Sequence, residues 1–130
     1  MNKKILIVED NPQNMRLVKM ALRAENYILL EATNGEEALG VAKKECPDLI
    51  IMDIQLPKMN GLEVTRRLRA IPEFNRTPII AITAYAMKGD EEKALKSGCD
   101  VYLSKPISAR DLPDLIAKTF LKRQKEDKGE

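Results

Sequence analysis

A handful of polar residues stand where the sequence otherwise turns apolar, and their types belong to one kind of chemistry. Glu9-Asp10 follow Ile5-Leu-Ile-Val8, Asp53 follows Leu49-Ile-Ile-Met52, Thr83 follows Pro78-Ile-Ile-Ala-Ile82, and Ser104-Lys105-Pro106 follow Val101-Tyr-Leu103. An ionisable group that directly ends a buried run is expensive unless it is paired. Three carboxylates brought together repel one another unless positive charge accompanies them. A one-sided, all-oxygen set suits a hard cation that keeps waters and shares ligands with a phosphate, which describes Mg²⁺. Lys105 adds a compact positive charge and Thr83 a hydroxyl donor. Together they describe a site that stabilises charge on a phosphoryl group in transfer, where a carboxylate can itself be the nucleophile.

Each residue also has a plainer reading. Asp10, ahead of Asn11-Pro12, could cap a helix. Glu9 could be a solvated loop charge, Thr83 a strand-end filler and Lys105 a surface lysine. Asp53 resists such a reading because it interrupts an apolar run. The joint occurrence at four run ends argues against coincidence.

The chemistry depends on elements that bring these positions to one place. The apolar runs, with Tyr27-Ile-Leu-Leu30 as a fifth, are mostly apolar at consecutive positions, as strands buried on both faces are. Five amphipathic stretches alternate with them. The first starts near Pro12 and carries Met15, Leu17, Val18, Ala21 and Leu22. The second follows Asn34-Gly35 through Ala38, Leu39 and Ala42 and is stopped by Pro47. The third begins at Gly61 and includes Leu62, Val64, Leu68 and Ile71. The fourth spans about Lys88 to Lys96 and ends at Ser97-Gly98. The fifth opens at Ser108, with Asp111 three residues on as an approximate capping box, and runs to about Arg123. This order predicts an α/β fold with a parallel sheet between helices and right-handed crossovers. In such sheets ligands bind beyond the carboxyl ends of the strands, the edge where all these polar residues emerge.

Composition narrows the classes. At 130 residues the chain has the length of one domain and can bury a core without disulfides or structural metal. Hydrophobic residues at 44% and charged residues at 32% read as soluble and globular, and the net charge of +2 gives no reason to expect nucleic-acid binding. The chain has no His, which excludes a phosphohistidine-bearing role and any Ser-His or Cys-His pair. Cys46 and Cys99 form no metal motif and are expected to be small buried hydrophobes. The apolar run near the N-terminus is too short for a signal peptide or a membrane span. A cytoplasmic protein with reduced thiols is expected. Residues 1–122 are expected to form the domain, and 123–130 a charged tail that frays at its end.

The motifs Ile7-Val-Glu9-Asp10-Asn11, Asp48-Leu-Ile-Ile-Met-Asp53-Ile-Gln-Leu-Pro57-Lys-Met-Asn-Gly61, Ile82-Thr83-Ala84 and Leu103-Ser-Lys105-Pro106 strongly resemble the CheY-like receiver family of response regulators. The resemblance covers about Lys3 to Leu121. The stretch Thr83-Ala-Tyr-Ala-Met-Lys-Gly-Asp90 looks like that of DivK-like single-domain regulators and of receivers attached to hybrid kinases. The resemblance implies a five-stranded parallel sheet in the order 2-1-3-4-5 with helices on both faces. It implies that Asp53 is the phosphoacceptor and that Glu9, Asp10, Asp53 and the backbone carbonyl of Gln55 hold Mg²⁺. Thr83 becomes the switch hydroxyl, Lys105 the phosphate's partner and Tyr102 the switch aromatic. The Lys105–Pro106 bond is expected to be cis, and Gln55 and Tyr85 to flank the path of an attacking water. The implied phosphodonor is a sensor histidine kinase or histidine phosphotransfer protein. The implied output is a protein contact through helix four, strand five and helix five. The implied state is monomeric when unphosphorylated, with self-catalysed phosphorylation and dephosphorylation but no turnover enzymology.

Three rivals use similar parts. A haloacid-dehalogenase-type phosphatase needs a second Asp two residues after its nucleophile, where this chain has Gln55. A flavodoxin needs a Ser/Thr/Gly-rich phosphate loop after its first strand, where this chain has Glu9-Asp10-Asn11-Pro12. A degenerate receiver serving only as a scaffold would not need the intact acidic set.

Overall fold

Side chains alternate across a strand, so an unbroken apolar run feeds two cores at once. The computed structural model, which describes residues 2–84, 89–105 and 110–127, shows this arrangement. Five strands, β1 (Lys4–Val8), β2 (Ile28–Ala32), β3 (Leu49–Asp53), β4 (Ile79–Thr83) and β5 (Val101–Ser104), form one parallel sheet in the order β2-β1-β3-β4-β5. Five helices separate or follow them: α1 (Pro12–Ala21), α2 (Gly35–Glu45), α3 (Gly61–Arg69), α4 (Asp90–Ser97) and α5 (Asp111–Asp127). Leu6, Val8, Ile50, Met52, Ile79 and Ala81 pack on one side of the sheet with Ala38, Val64 and Ala94 of α2, α3 and α4. Ile5, Ile7, Leu49, Ile51, Ile80 and Ile82 pack on the other with Met15 and Val18 of α1 and Ile116 of α5. Each fully buried Ile or Leu contributes about 1.5–3 kcal/mol, so the central strands anchor the sheet. The edge strands β2 and β5 are only partly buried.

Asparagine starts three of the helices. The side chains of Asn11, Asn34 and Asn60 accept from the backbone N–H groups of Asn14, Glu37 and Glu63 at 3.0, 2.8 and 3.0 Å. Asn11, and not Asp10, therefore caps α1, which leaves the Asp10 carboxylate available elsewhere.

Several sequence expectations need correction. Leu17 is exposed, because Met15, Val18 and Leu22 already occupy the buried side of α1. α3 ends at Arg69, short of Ile71, and a 3-10 turn at Pro72–Phe74 follows and buries Phe74. α5 continues to Asp127, so residues 123–127 of the expected tail are helical. Arg123 ties that turn down through Asp100 Oδ1 at 2.7 Å and Glu126 Oε1 at 3.4 Å. Cys99 is buried, but Cys46 is exposed. Cys46 ends α2 in the left-handed region at φ 49°, ψ 65°, which turns its side chain away from the core. The expected starts of helix four at Lys88 and of helix five at Ser108 lie outside the described residues.

Candidate functional site

The ladder hydrogen bonds run one residue past the strands and carry the site residues to a common edge. Glu9 N–H donates to Ala32 O at 3.0 Å, Ile54 N–H to Ile82 O at 2.9 Å and Lys105 N–H to Thr83 O at 2.7 Å. Val8 pairs with Met52, Asp53 with Ile82 and Thr83 with Ser104. The carboxyl ends of β1, β3, β4 and β5 thus lie side by side, and all the polar residues read from the sequence emerge there.

Oxygen atoms of Glu9, Asp10 and Asp53 lie within 4.8 Å of one another. Lys105 Nζ reaches into the cluster, 2.8 Å from Glu9 Oε1 and 3.3 Å from Asp53 Oδ2. Glu9 is 5% exposed and Asp53 3% exposed, whereas Asp10 faces solvent. Glu9 Oε2 also accepts from Asn11 N–H at 3.1 Å, and Asp53 Oδ1 from Gln55 N–H at 3.0 Å. Neither Glu9 nor Lys105 is therefore an incidental surface charge. Burial pushes the Asp53 carboxyl up to about 6, helped by its hydrogen bond with Glu9 and by that residue's charge, against the pull of the Gln55 N–H and Lys105. For Lys105, burial works against the cation, but the hydrogen bond to Glu9 and the charge of Asp53 outweigh it and raise its pKa. Among the described residues three carboxylates face one ammonium, an excess of negative charge in a mostly buried place. A donor set of carboxylate oxygens open on the Asp10 side fits a hard cation that retains waters.

Thr83 is buried at the end of β4. Tyr102, in the middle of β5, packs against the core on the α2–α4 side. Its hydroxyl is buried and has no hydrogen-bond partner among the described residues. Burial, then the charges of Asp90 and Glu91 at the start of α4, raise its pKa. An unpartnered buried hydroxyl at that spot suits a side chain with a second arrangement available to it. Pro106 and Tyr85 lie outside the described residues.

Two features of the site escape sequence reasoning. A Cβ at Gly61 would run into the carbonyl of Asp53 and come within 2.9 Å of the Met52 side chain. Glycine therefore lets α3 begin directly against the backbone of Asp53, where Gly61 N–H donates to Ile54 O at 2.8 Å. The glycine itself is visible in the sequence, but the reason for it is not. The second is the side chain of Gln55, whose Oε1 accepts from Ala84 N–H at 3.2 Å and so joins two strand ends.

Residues 5–117 match the family model of the response regulator receiver domain. The chain belongs to the response-regulator receiver family. It is 51% identical over 121 residues to the polar-differentiation response regulator DivK of Brucella anthropi, an alignment covering 93% of this chain and 98% of that protein. The CheY-like receiver domain protein of Methanospirillum hungatei superposes with a TM-score of 0.89 at 30% identity, covering 97% of this chain and 99% of that one. The receiver domain of a sensor histidine kinase from Pseudomonas aeruginosa superposes with a TM-score of 0.83 at 36% identity, over 91% of this chain and 97% of that one. Its structure holds a magnesium ion in the active-site cleft. This receiver is thus a DivK-like component of two-component phosphorelay signalling, which removes the phosphatase and flavodoxin readings. Among the described residues no helix is long and apolar enough to cross a membrane.

Proposed function

We propose that Asp53 accepts a phosphoryl group from the phosphohistidine of a sensor histidine kinase or a histidine phosphotransfer protein. The observation that carries this reading is the meeting of Glu9, Asp10 and Asp53 within 4.8 Å under the Lys105 ammonium. One oxygen of Asp53 attacks phosphorus, the P–N bond breaks, and its electron pair returns to the donor imidazole, which takes up a proton from solvent. Lys105 neutralises charge on the phosphoryl oxygens. Mg²⁺, held by Glu9, Asp10, Asp53 and the Gln55 backbone carbonyl, supplies further neutralisation when bound. The receiver provides this machinery for its own phosphorylation and hydrolysis and is not a turnover enzyme.

Thr83 then turns its hydroxyl toward the new phosphoryl oxygens, and Tyr102 turns into the space released beside β4. Phosphate selects between two packings of the α4–β5–α5 face, which contacts a downstream signalling protein in the cytoplasm. The buried hydroxyl of Tyr102, without a hydrogen-bond partner among the described residues, supports this part of the reading. Incubation with acetyl phosphate and Mg²⁺, followed by intact mass, tests it. The wild type gains one phosphoryl group and Asp53→Asn gains none. Equal labelling of Asp53→Asn would overturn the assignment.

A further inference from the structure

Gln55 makes two hydrogen bonds that point to different strand ends. Its backbone N–H donates to Asp53 Oδ1 at 3.0 Å, and its side-chain Oε1 accepts from Ala84 N–H at 3.2 Å. We propose that the Gln55 side chain is a latch: it holds the backbone N–H of Ala84 while Asp53 is unphosphorylated and releases it when Asp53 is phosphorylated. This rests on the reading of Asp53 as the phosphoacceptor. Gln55 is here a positioning residue, acting through Ala84 and not on the phosphoryl group.

The coupling follows from the charge on the acceptor. While Asp53 is ionised, the bond from Gln55 N–H to Oδ1 is charge-assisted and strong. Lys105 Nζ lies 3.3 Å from the other oxygen, Oδ2. A phosphoryl group on Oδ2 would leave Oδ1 a neutral carbonyl oxygen and weaken its hold on Gln55. A phosphoryl group on Oδ1 would displace the N–H outright. Either way the root of Gln55 is loosened. The bond at the other end is neutral and exposed, so it is the weaker of the two and gives way first. Ala84 directly follows Thr83, so release frees the backbone next to the buried hydroxyl at the end of β4. The residue type fits the task. An amide oxygen accepts the Ala84 N–H without adding a fourth negative charge beside Glu9, Asp10 and Asp53. Gln55 is itself exposed, so truncating it leaves both cores intact.

The test is the exchange of the Ala84 amide with water, followed by NMR in wild type, Gln55→Ala and Gln55→Glu. It is run on the free proteins and again after phosphorylation by acetyl phosphate and Mg²⁺, with intact mass recorded on each sample. In the free form Gln55→Ala is expected to exchange roughly fivefold faster at Ala84 than wild type. Gln55→Glu is expected to keep its protection, because a carboxylate oxygen accepts the same N–H. After phosphorylation the difference between wild type and Gln55→Ala should vanish. A merely structural hydrogen bond would leave that difference in place. Equal exchange in the free wild type and Gln55→Ala, or a difference that survives phosphorylation, would overturn the latch. A wild type that gains no phosphoryl mass would overturn the Asp53 reading, and release with it, while the free-form comparison still decides whether the bond holds.

Discussion

The two edges of the sheet both gather charge, but they balance it differently. At the carboxyl edge, Glu9 and Asp53 are almost fully buried and, with Asp10, outnumber the one ammonium found there among the described residues, that of Lys105. At the opposite edge, Asp100 is partly exposed and, together with Glu126, balances the charges of Arg69 and Arg123. It accepts from Arg69 Nη2 at 3.0 Å, Arg123 Nη2 at 2.7 Å and Ile79 N–H at 2.8 Å. Arg69 also donates to the carbonyl oxygens of Gly98 and Phe74, tying α3 to the end of α4 and to the 3-10 turn. Charge is thus balanced where desolvation is mild and left in excess where it is severe. A fold selected only for stability would do the reverse. The matched edge is a fastening, and the mismatched edge is a site prepared for a cation and a phosphoryl group.

The largest expected effect breaks the mismatched edge. Chelating divalent metal, or making Asp10→Asn, should slow labelling by acetyl phosphate by at least roughly tenfold, since a bound metal contributes several kcal/mol of charge stabilisation. A chelator-insensitive labelling rate would show that the acidic excess serves something else. A smaller effect belongs to the fastened edge. Asp100→Ala leaves the Ile79 N–H and two guanidinium groups without their shared acceptor, and should cost about 1–2 kcal/mol in urea unfolding. It should leave the labelling rate unchanged, and a loss of labelling would mean that the two edges are not separable. The smallest effect is at Cys46, which lies between α2 and β3 at the same edge as Asp100. Its left-handed conformation favours glycine, so Cys46→Gly should gain about 0.5–1 kcal/mol in the same assay.

The same contrast governs what the sequence makes legible. Strand positions and the carboxyl-edge residues are readable because both break a pattern: consecutive apolar residues announce strands buried on both faces, and a charge after such a run announces a site. Asp53 and Lys105 are visible for that reason. The fastened edge is hidden, because Arg69, Asp100 and Arg123 read as ordinary polar residues until the fold joins them. Their network also accounts for the length of α5, whose last turns carry no apolar periodicity. The expectation of a buried Cys46 fails because residue type predicts burial only on average, and here the backbone turn at the helix end decides. Leu17 shows the limit of counting apolar residues along a helix, since Val18 beside it already faces the core. The bond between the Gln55 side chain and Ala84 N–H carries no sequence signal, because it depends on where a neighbouring strand ends.

The carboxyl edge holds an excess of negative charge at the expense of stability. The folded protein releases the Asp53 proton near pH 6, whereas an unfolded chain releases it near pH 4. Across that window the folded state keeps a proton that the unfolded state gives up, so stability falls as pH rises, and Asp53→Asn abolishes that part of the loss. The direct measurement is the unfolding free energy of wild type and Asp53→Asn by urea titration, without metal and with Mg²⁺. Without metal at neutral pH, Asp53→Asn should be more stable by as much as about 3 kcal/mol, and the gain should fade toward pH 4. Added Mg²⁺ should stabilise the wild type more than the variant and narrow the gap. A variant less stable than wild type without metal, with no differential response to Mg²⁺, would contradict the account.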